Sequence, residues 1–265
     1  MTEPIRRGAL PQIGREIRGT GLYAQVVEEL GHRIVDGTLA TGELVFADQL
    51  SQTLGVSRSV VRESLRTLSS MGLVESRPQV GTRVLPQNRW DLLHPLIITW
   101  RGRGNDFLIQ HRELLELRLG IESTAARLAA GRIAPERALQ LRECAQQMQD
   151  RLEHNDHHGF FYADAQFHRT LLEGAGNAVL SQFADTVVAM LTGRAMDTRP
   201  PMTSMFASSV ARHIALADAI VDRDVSRAGI EAFNIVADTL REFDPTAEEP
   251  LRRHPSRASS ASGHS

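Results

Sequence analysis

The 265-residue sequence has one cysteine, no lysine and few aromatic residues, which make up 5% of the chain. The single cysteine, Cys144, cannot form an intramolecular disulfide, which excludes a disulfide framework and favours a reducing compartment. No stretch reaches the roughly 20 apolar residues of a membrane-spanning helix, and the N-terminus lacks the apolar core of a signal peptide. We therefore expect a cytoplasmic protein that has no membrane partner.

Neither sign of charge dominates, since 30 basic and 32 acidic residues give a net charge of -2 at pH 7. A nucleic-acid-binding surface would therefore depend on where the arginines lie rather than on their number. Hydrophobic residues make up 42% of the chain, which is enough for a buried core. At roughly 100–200 residues per domain, the length favours two modest domains or one large one.

Helical periodicity dominates the sequence and predicts a mainly α protein. We expect an N-terminal winged helix-turn-helix, made of three helices plus a β-hairpin wing, followed by an all-α helical bundle. In chain order, the predicted segments are a flexible N-terminal arm (1–20), the winged helix-turn-helix (21–86), a linker helix (87–104), the helical domain (105–243) and a disordered tail (244–265). Within the helical domain, the sequence predicts six helices near 105–130, 135–154, 157–174, 177–195, 203–223 and 224–243.

Residues 47–68 are a candidate helix-turn-helix, in which Ser57 can cap the second helix. Arg58, Arg62 and Arg66 lie on that helix at four-residue spacing, so their guanidinium groups form a stripe with about 5.4 Å between neighbours. A helix of this kind fits the major groove of DNA, where arginine binds guanine or phosphate. The alternative interpretation is a solvated basic helix face.

Residues beside this stripe also suit DNA. Ser57 and Ser59 lie at a helix start, where hydroxyl and free backbone N–H groups can hold a phosphate. Gly81 lies at the tip of the predicted wing, which can reach the adjacent minor groove. Glu63 favours the alternative, because its carboxylate partly neutralises the stripe.

Residues 22–84 resemble the winged-helix domain of GntR-type bacterial transcription regulators. The resemblance is carried above all by Gly55-Val56-Ser57-Arg58-Ser59-Val60-Val61-Arg62-Glu63-Ser64-Leu65-Arg66, with Gly72-Leu73-Val74 and Gly81-Thr82. It implies that Arg58 and Arg62 contact bases or phosphates, helped by the two serines and the Gly81 tip. One departure is Asp48, which stands where some relatives have a DNA-contacting arginine and would repel a phosphate.

Three residues of the helical domain are candidate ligands for a divalent metal. Asp164 and His168 are four residues apart, so both project from one face of a helix, and His213 can join them from another helix. Imidazole and carboxylate ligands suit Zn, Ni, Mn or Fe, with water or a ligand carboxylate at the open positions. The alternative is an ordinary Asp/His pair on a helix surface and a separate, satisfied histidine.

The helical domain resembles the ligand-binding C-terminal domain of the FadR subgroup. The matching residues are Glu116-Leu117-Arg118 with Glu122 and Ala125-Ala126, Asp164-Ala165-Gln166-Phe167-His168, and Arg212-His213 with Ala217 and Ile220. Many relatives have a further histidine where this chain has Ile235, which is expected to weaken metal binding and leaves open whether the pocket uses a metal. The stretch from Asn88 to Trp100 further resembles members that respond to sugar acids such as galactonate.

Arg118 and Arg194 are candidate anchors for an anionic effector, because a guanidinium group binds a carboxylate through two parallel hydrogen bonds. The alternative is that both form surface ion pairs, and Arg118 has the helical spacing for a pair with Glu122.

We therefore expect a DNA-binding transcriptional repressor that responds to a small anionic metabolite, such as a sugar acid or another organic acid. One winged helix reads too few base pairs to locate a genomic site, so we expect a homodimer on a palindromic stretch of double-stranded operator DNA. Two alternatives are a metal-dependent helical-bundle enzyme and a ligand-independent DNA-binding protein. The sequence lacks a His-Glu-x-x-His helix, a Gly-x-Ser-x-Gly elbow and a Gly-rich phosphate loop, which argues against the enzyme.

Overall fold

The computed structural model describes residues 21–104, 106–195 and 206–243. The chain divides into two compact units, residues 1–107 and 108–265, and each unit has its own hydrophobic core. The predicted mainly α fold class, a winged helix-turn-helix followed by an all-helical domain, is confirmed. The predicted flexible arm (1–20) and disordered tail (244–265) lie outside the described residues.

In its described part, the first unit combines four helices with a small antiparallel sheet in the strand order β1-β3-β2. The predicted hairpin corresponds to β2 and β3, whereas β1 was not predicted, because a two-residue strand is too short to show alternation. The elements are α1 (Leu22–Val35), β1 (Leu44–Val45), α2 (Ala47–Leu54), α3 (Arg58–Ser70), β2 (Val74–Arg77), β3 (Gly81–Val84), a 3₁₀ turn (Gln87–Arg89) and α4 (Pro95–Arg103).

The turn between α2 and α3 has a local explanation. Gly55 ends α2 with a φ of 67°, a left-handed conformation that glycine adopts at little cost. Ser57 then caps α3, because its Oγ accepts a hydrogen bond from the Val60 backbone N–H at 3.3 Å. The buried face of α3, which includes Leu68, packs into the core together with α1. This packing leaves the opposite face of α3 exposed to solvent.

Helix α4 is shorter than the predicted linker helix (87–104) and packs against the first unit. It begins at Pro95, which suits the first position of a helix. Trp100 is almost completely buried against Gly31 of α1. The indole Nε1 of Trp100 donates a hydrogen bond to Glu28 Oε2 at 2.8 Å, and Arg103 Nη1 donates to Glu28 Oε1 at 2.9 Å. Helix α4 is therefore part of the core of the first unit.

The second unit is all helical in its described part. Helix α7 packs against α6 and α9, and α10 packs against α6 and α11. The predicted helix at 177–195 is two helices that separate at Phe183, and the predicted start of the helix at 203–223 lies outside the described residues. No described helix is both long enough and apolar enough to cross a membrane. The helices are α5 (Phe107–Arg132), α6 (Pro135–Glu153), α7 (His157–Gly174), α8 (Ala178–Gln182), α9 (Ala184–Ala195), α10 (Phe206–Val221) and α11 (Val225–Phe243).

We expect Gly31→Ala to destabilise the first unit. A Cβ at this position would lie 2.3 Å from the Trp100 ring, so we expect a loss of about 1–3 kcal/mol in the free energy of unfolding. Both tryptophans of the chain, Trp90 and Trp100, belong to this unit, and urea unfolding followed by tryptophan fluorescence measures the change.

Gly102→Ala is the matched control, because a Cβ on this α4 residue would meet nothing within 4 Å. We expect it to leave stability unchanged or to raise it by up to about 1 kcal/mol. Equal unfolding midpoints for the two variants would contradict the packing of α4 on α1.

Candidate nucleic-acid interface and metal centre

The exposed face of α3 carries the predicted DNA-contacting residues. Ser57, Arg58, Ser59, Arg62 and Arg66 are all exposed. The hydroxyl oxygens of Ser57 and Ser59 are 2.9 Å apart at the start of the helix. Hydroxyls at a helix start favour an anion, since the first backbone N–H groups and the helix dipole point toward it. The first unit thus brings these five residues onto one surface.

The three arginines differ in how far their charge is neutralised. Arg58 Nε is 3.1 Å from Asp48 Oδ1, and Arg66 Nη1 donates to Glu63 Oε2 at 3.0 Å. The Arg62 side chain has no hydrogen bond or ion pair with any described residue. Asp48, which stands where some relatives have an arginine, therefore partly neutralises the charge of Arg58. Arg62 is the arginine of the stripe whose charge is most available to DNA.

In the wing, Gly81 lies close to the Phe46 ring. Gly81 begins β3 with a φ of 114°, and a Cβ there would lie 2.9 Å from Phe46 Cε1. Any other residue at this position would be strained and would also press on the Phe46 ring. Val80 at the wing tip is 45% exposed. Gly81 thus fixes the tip geometry more than it offers a contact of its own.

The structure brings Asp164 and His168 of α7 together with His213 of α10. Asp164 Oδ1 is 3.2 Å from His168 Nε2 and 3.2 Å from His213 Nε2, and the two Nε2 atoms are 3.3 Å apart. Two ligands about 2.0–2.1 Å from a tetrahedral zinc ion are separated by about 3.3 Å. All three residues are buried, which contradicts the alternative of a surface Asp/His pair.

Both imidazoles have an oxygen partner on the opposite ring nitrogen. Glu122 Oε2 is 2.8 Å from His168 Nδ1, an ion-pair contact without hydrogen-bond alignment, and the Ser209 carbonyl oxygen accepts from His213 Nδ1 at 2.7 Å. A neutral imidazole with its proton on Nδ1 has its lone pair on Nε2. Such oxygen partners orient histidine ligands in metalloproteins. The two Nε2 atoms are therefore the atoms through which these rings can bind one ion.

The electrostatics of the cluster also fit a cation. Asp164 Oδ1 is buried and has no aligned hydrogen-bond partner among the described residues. Burial would raise the pKa of Asp164, but the two imidazoles hold it well below its usual range. Burial lowers the pKa of His168, but Glu122 and Asp164 outweigh this effect and raise it. The cluster thus favours positive charge at its centre, and its donor set suits Zn, Ni, Mn or Fe.

Arg118 is buried beside this cluster instead of lying on the surface. Its Nε donates to Glu122 Oε1 at 2.6 Å, and its Nη2 donates to His168 Nε2 at 3.1 Å. Burial would raise the pKa of Glu122, but Arg118 and His168 lower it to about 2. From the sequence, Glu122 was identified as an ion-pair partner at helical spacing and as part of the family resemblance, but not as a neighbour of His168. Its contact with His168 depends on the packing of α5 against α7, which spacing alone does not show.

The cluster opens into a cavity of about 40 Å³. Both predicted effector anchors line it, and the Arg194 guanidinium lies over the Phe161 ring at 4.6 Å from its centroid. Charged and apolar groups thus face one space, as in pockets for small polar metabolites. The other lining residues include Phe160, Leu191, Phe206, Ser209, Arg212, Ile235, Asp238, Thr239 and Glu242.

We expect Ile235→His to strengthen zinc binding. Ile235 lines the cavity that holds the three donors, so a histidine there can supply a fourth protein ligand. We expect zinc affinity to rise by about tenfold or more, measured by competition with a chromophoric chelator. Ile230→His, on an exposed position of the same helix, is the control and should leave the affinity unchanged. No gain at Ile235 over the control would contradict the proposed position of the ion.

Family models match both units. Residues 22–84 match bacterial regulatory proteins of the gntR family, and residues 113–232 match the FCD domain. The first match covers the helix-turn-helix and the wing. The second covers Arg118, Glu122 and all three candidate metal ligands.

Curated relatives and a solved structure extend the match over most of the chain. The galactonate operon transcriptional repressor of Escherichia coli K12 is 28% identical, over 82% of this chain and 94% of the relative. The HTH-type transcriptional repressor NanR of Escherichia coli is 30% identical, over 90% of this chain and 94% of the relative. The structure of Lar, which controls expression of the Listeria monocytogenes agr system, shares the fold with a TM-score of 0.63 at 16% identity, over 87% of this chain and 100% of the other. The chain therefore belongs to the GntR family of bacterial transcription regulators and carries an FCD domain.

Proposed function

We propose that this transcription regulator is a homodimeric repressor whose affinity for its operator is set by a small carboxylate bound at a divalent metal. The observation that carries the proposal is the convergence of Asp164, His168 and His213, with Arg118, on one cavity. The family consists of transcription regulators and not of enzymes, so the metal-dependent enzyme is set aside. The metal serves to bind the effector.

At the DNA, α3 lies in the major groove and the wing reaches the adjacent minor groove. Arg62 supplies the contact with the most available charge, and Arg58 contacts DNA through the guanidinium nitrogens that Asp48 leaves available. Ser57 and Ser59 hold a phosphate at the helix start. Because one such unit contacts only a few base pairs, two copies are needed to select a genomic site.

In the helical domain, the metal is held by Asp164, His168 and His213 and supplies a Lewis-acidic position for an oxygen ligand. Arg118 and Arg194 bind the effector carboxylate through their forked N–H groups. The polar residues of α11 that line the cavity, among them Thr239, suit the hydroxyl groups of a sugar acid. The name of the galactonate operon repressor, a relative over most of the chain, supports this effector class.

We expect Arg62→Ala to weaken operator binding by about 1–3 kcal/mol, which is about 5- to 150-fold. Arg66→Ala should cost less, because Glu63 already partly neutralises that side chain. The measurement is a mobility shift at fixed salt, with a duplex that the wild-type protein has selected from random sequence.

Arg142→Ala is the control for this comparison, since Arg142 is an exposed arginine of α6 that pairs with Asp218. It should bind the duplex like the wild type. An Arg62→Ala protein that is folded and retains wild-type affinity would contradict the proposed role of α3.

We expect His168→Ala to retain operator binding but to lose the effector response. In the wild type, a sugar acid such as galactonate should change operator affinity by about 5- to 150-fold, which corresponds to about 1–3 kcal/mol of coupling. The variant should show no change, and a chelator should abolish the wild-type response. His158→Ala, an exposed histidine on the same helix, is the control. A wild-type protein that binds its operator and responds to no small carboxylate would support the ligand-independent alternative.

A further inference from the structure

Arg118 forms a hydrogen bond with the lone pair of His168 Nε2, through which His168 would bind a metal ion. Its Nη2 donates a hydrogen bond to His168 Nε2 at 3.1 Å. An imidazole nitrogen has one in-plane lone pair, and it can accept a proton, accept a hydrogen bond or bind a metal, but it cannot do two of these at once. The other ring nitrogen of His168 faces Glu122 Oε2 at 2.8 Å. Nε2 is the ring nitrogen that faces Asp164 and His213, so it is the atom through which His168 can bind the ion, and Arg118 donates a hydrogen bond to it.

We propose that Arg118 and the metal ion compete for His168 Nε2, so that metal binding frees the end of the Arg118 side chain for the effector carboxylate. The inference rests on the proposed function, since it assigns an order of binding to the same pocket. The metal enters first and displaces one hydrogen bond. The carboxylate then meets a bound ion and an arginine that has lost its internal partner.

The surroundings of Arg118 allow this exchange without loss of its anchor. Its Nε stays bound to Glu122 Oε1 at 2.6 Å, whereas Nη2 is 3.5 Å from the second oxygen of that carboxylate. Among the residues that the structure describes, Nη1 donates to the weak acceptor Met190 Sδ, at 3.9 Å. Nε of Arg118 is thus held by Glu122. Nη1 and Nη2 have only weak or long contacts once the metal ion binds His168 Nε2. Because Arg118 also lines the cavity, its freed end lies beside the effector.

The proposal predicts that removing Arg118 tightens metal binding although it damages the effector pocket. We expect Arg118→Gln to bind zinc about tenfold more tightly than the wild type. Zinc titration against a chromophoric chelator measures the affinity of the full-length protein, and the visible spectrum with Co²⁺ shows whether the same ligands are used.

Arg212→Gln is a matched control. Arg212 also lines the cavity and also pairs with carboxylates, those of Asp238 and Glu231. Unlike Arg118, it donates no hydrogen bond to His168 in the described structure. Each substitution removes one guanidinium; it leaves the Glu122 carboxylate behind in Arg118→Gln and the Asp238 and Glu231 carboxylates in Arg212→Gln. We therefore expect the affinity for zinc to change less in Arg212→Gln than in Arg118→Gln.

The outcomes separate this inference from the proposed function. Zinc uptake by the wild type with no gain in Arg118→Gln, or an equal gain in Arg212→Gln, contradicts the competition and leaves the metal centre intact. No uptake by either the wild type or Arg118→Gln contradicts the metal centre itself. If Arg118→Gln does not fold, Arg118→Lys keeps a cation beside Glu122 without the forked end, and tighter zinc binding is expected there as well.

Discussion

The Glu122 carboxylate is the constraint on which the helical domain depends. It has no exposed surface, and an ion in that environment is stable only when its partners are fixed. Arg118 of the same helix and His168 of α7 are those partners. Their contacts hold α5 and α7 in one register. The same contacts orient His168, a candidate metal ligand, and position Arg118, a candidate effector anchor. The residues that pack α5 against α7 are therefore also residues of the proposed binding site.

The DNA-binding unit depends on different physics. Its arginines are exposed, and exposed ion pairs contribute about 0–1 kcal/mol each. Asp48 and Glu63 can therefore adjust the charge of the stripe without affecting the fold. Rigidity comes instead from apolar packing, in which Trp100 closes over Gly31. A firm scaffold thus carries a surface whose charge pattern is free to vary with the DNA sequence that is read.

The parts of the structure that local patterns determine were predictable from the sequence. Gly55 and Ser57 mark the turn and the start of α3, and the four-residue spacing places the arginines on one face. The two-residue strand β1 was missed because it is defined by its pairing with β3. The docking of Trp100 on Gly31 was missed for a similar reason, since the two residues are 69 positions apart and neither has a local signal.

In the candidate pocket, too, local spacing was predictable from the sequence and contacts between distant residues were not. The spacing of Asp164 and His168 on one helix was enough to propose a metal site with His213. The burial of these residues then excluded a pair on a helix surface. The contact of Glu122 with His168, and the hydrogen bond from Arg118 to the same ring, join α5 to α7. No periodicity in one segment contains that information.

X-ray absorption at the zinc edge of the purified, zinc-loaded protein tests the central claim most directly. The account predicts a first shell of nitrogen and oxygen ligands at about 2.0–2.1 Å, with the outer-shell scattering of two imidazole rings. Substitution of His213 by Ala should reduce the imidazole contribution to one ring. A first shell of oxygen alone, without imidazole scattering, would contradict the metal centre at Asp164, His168 and His213.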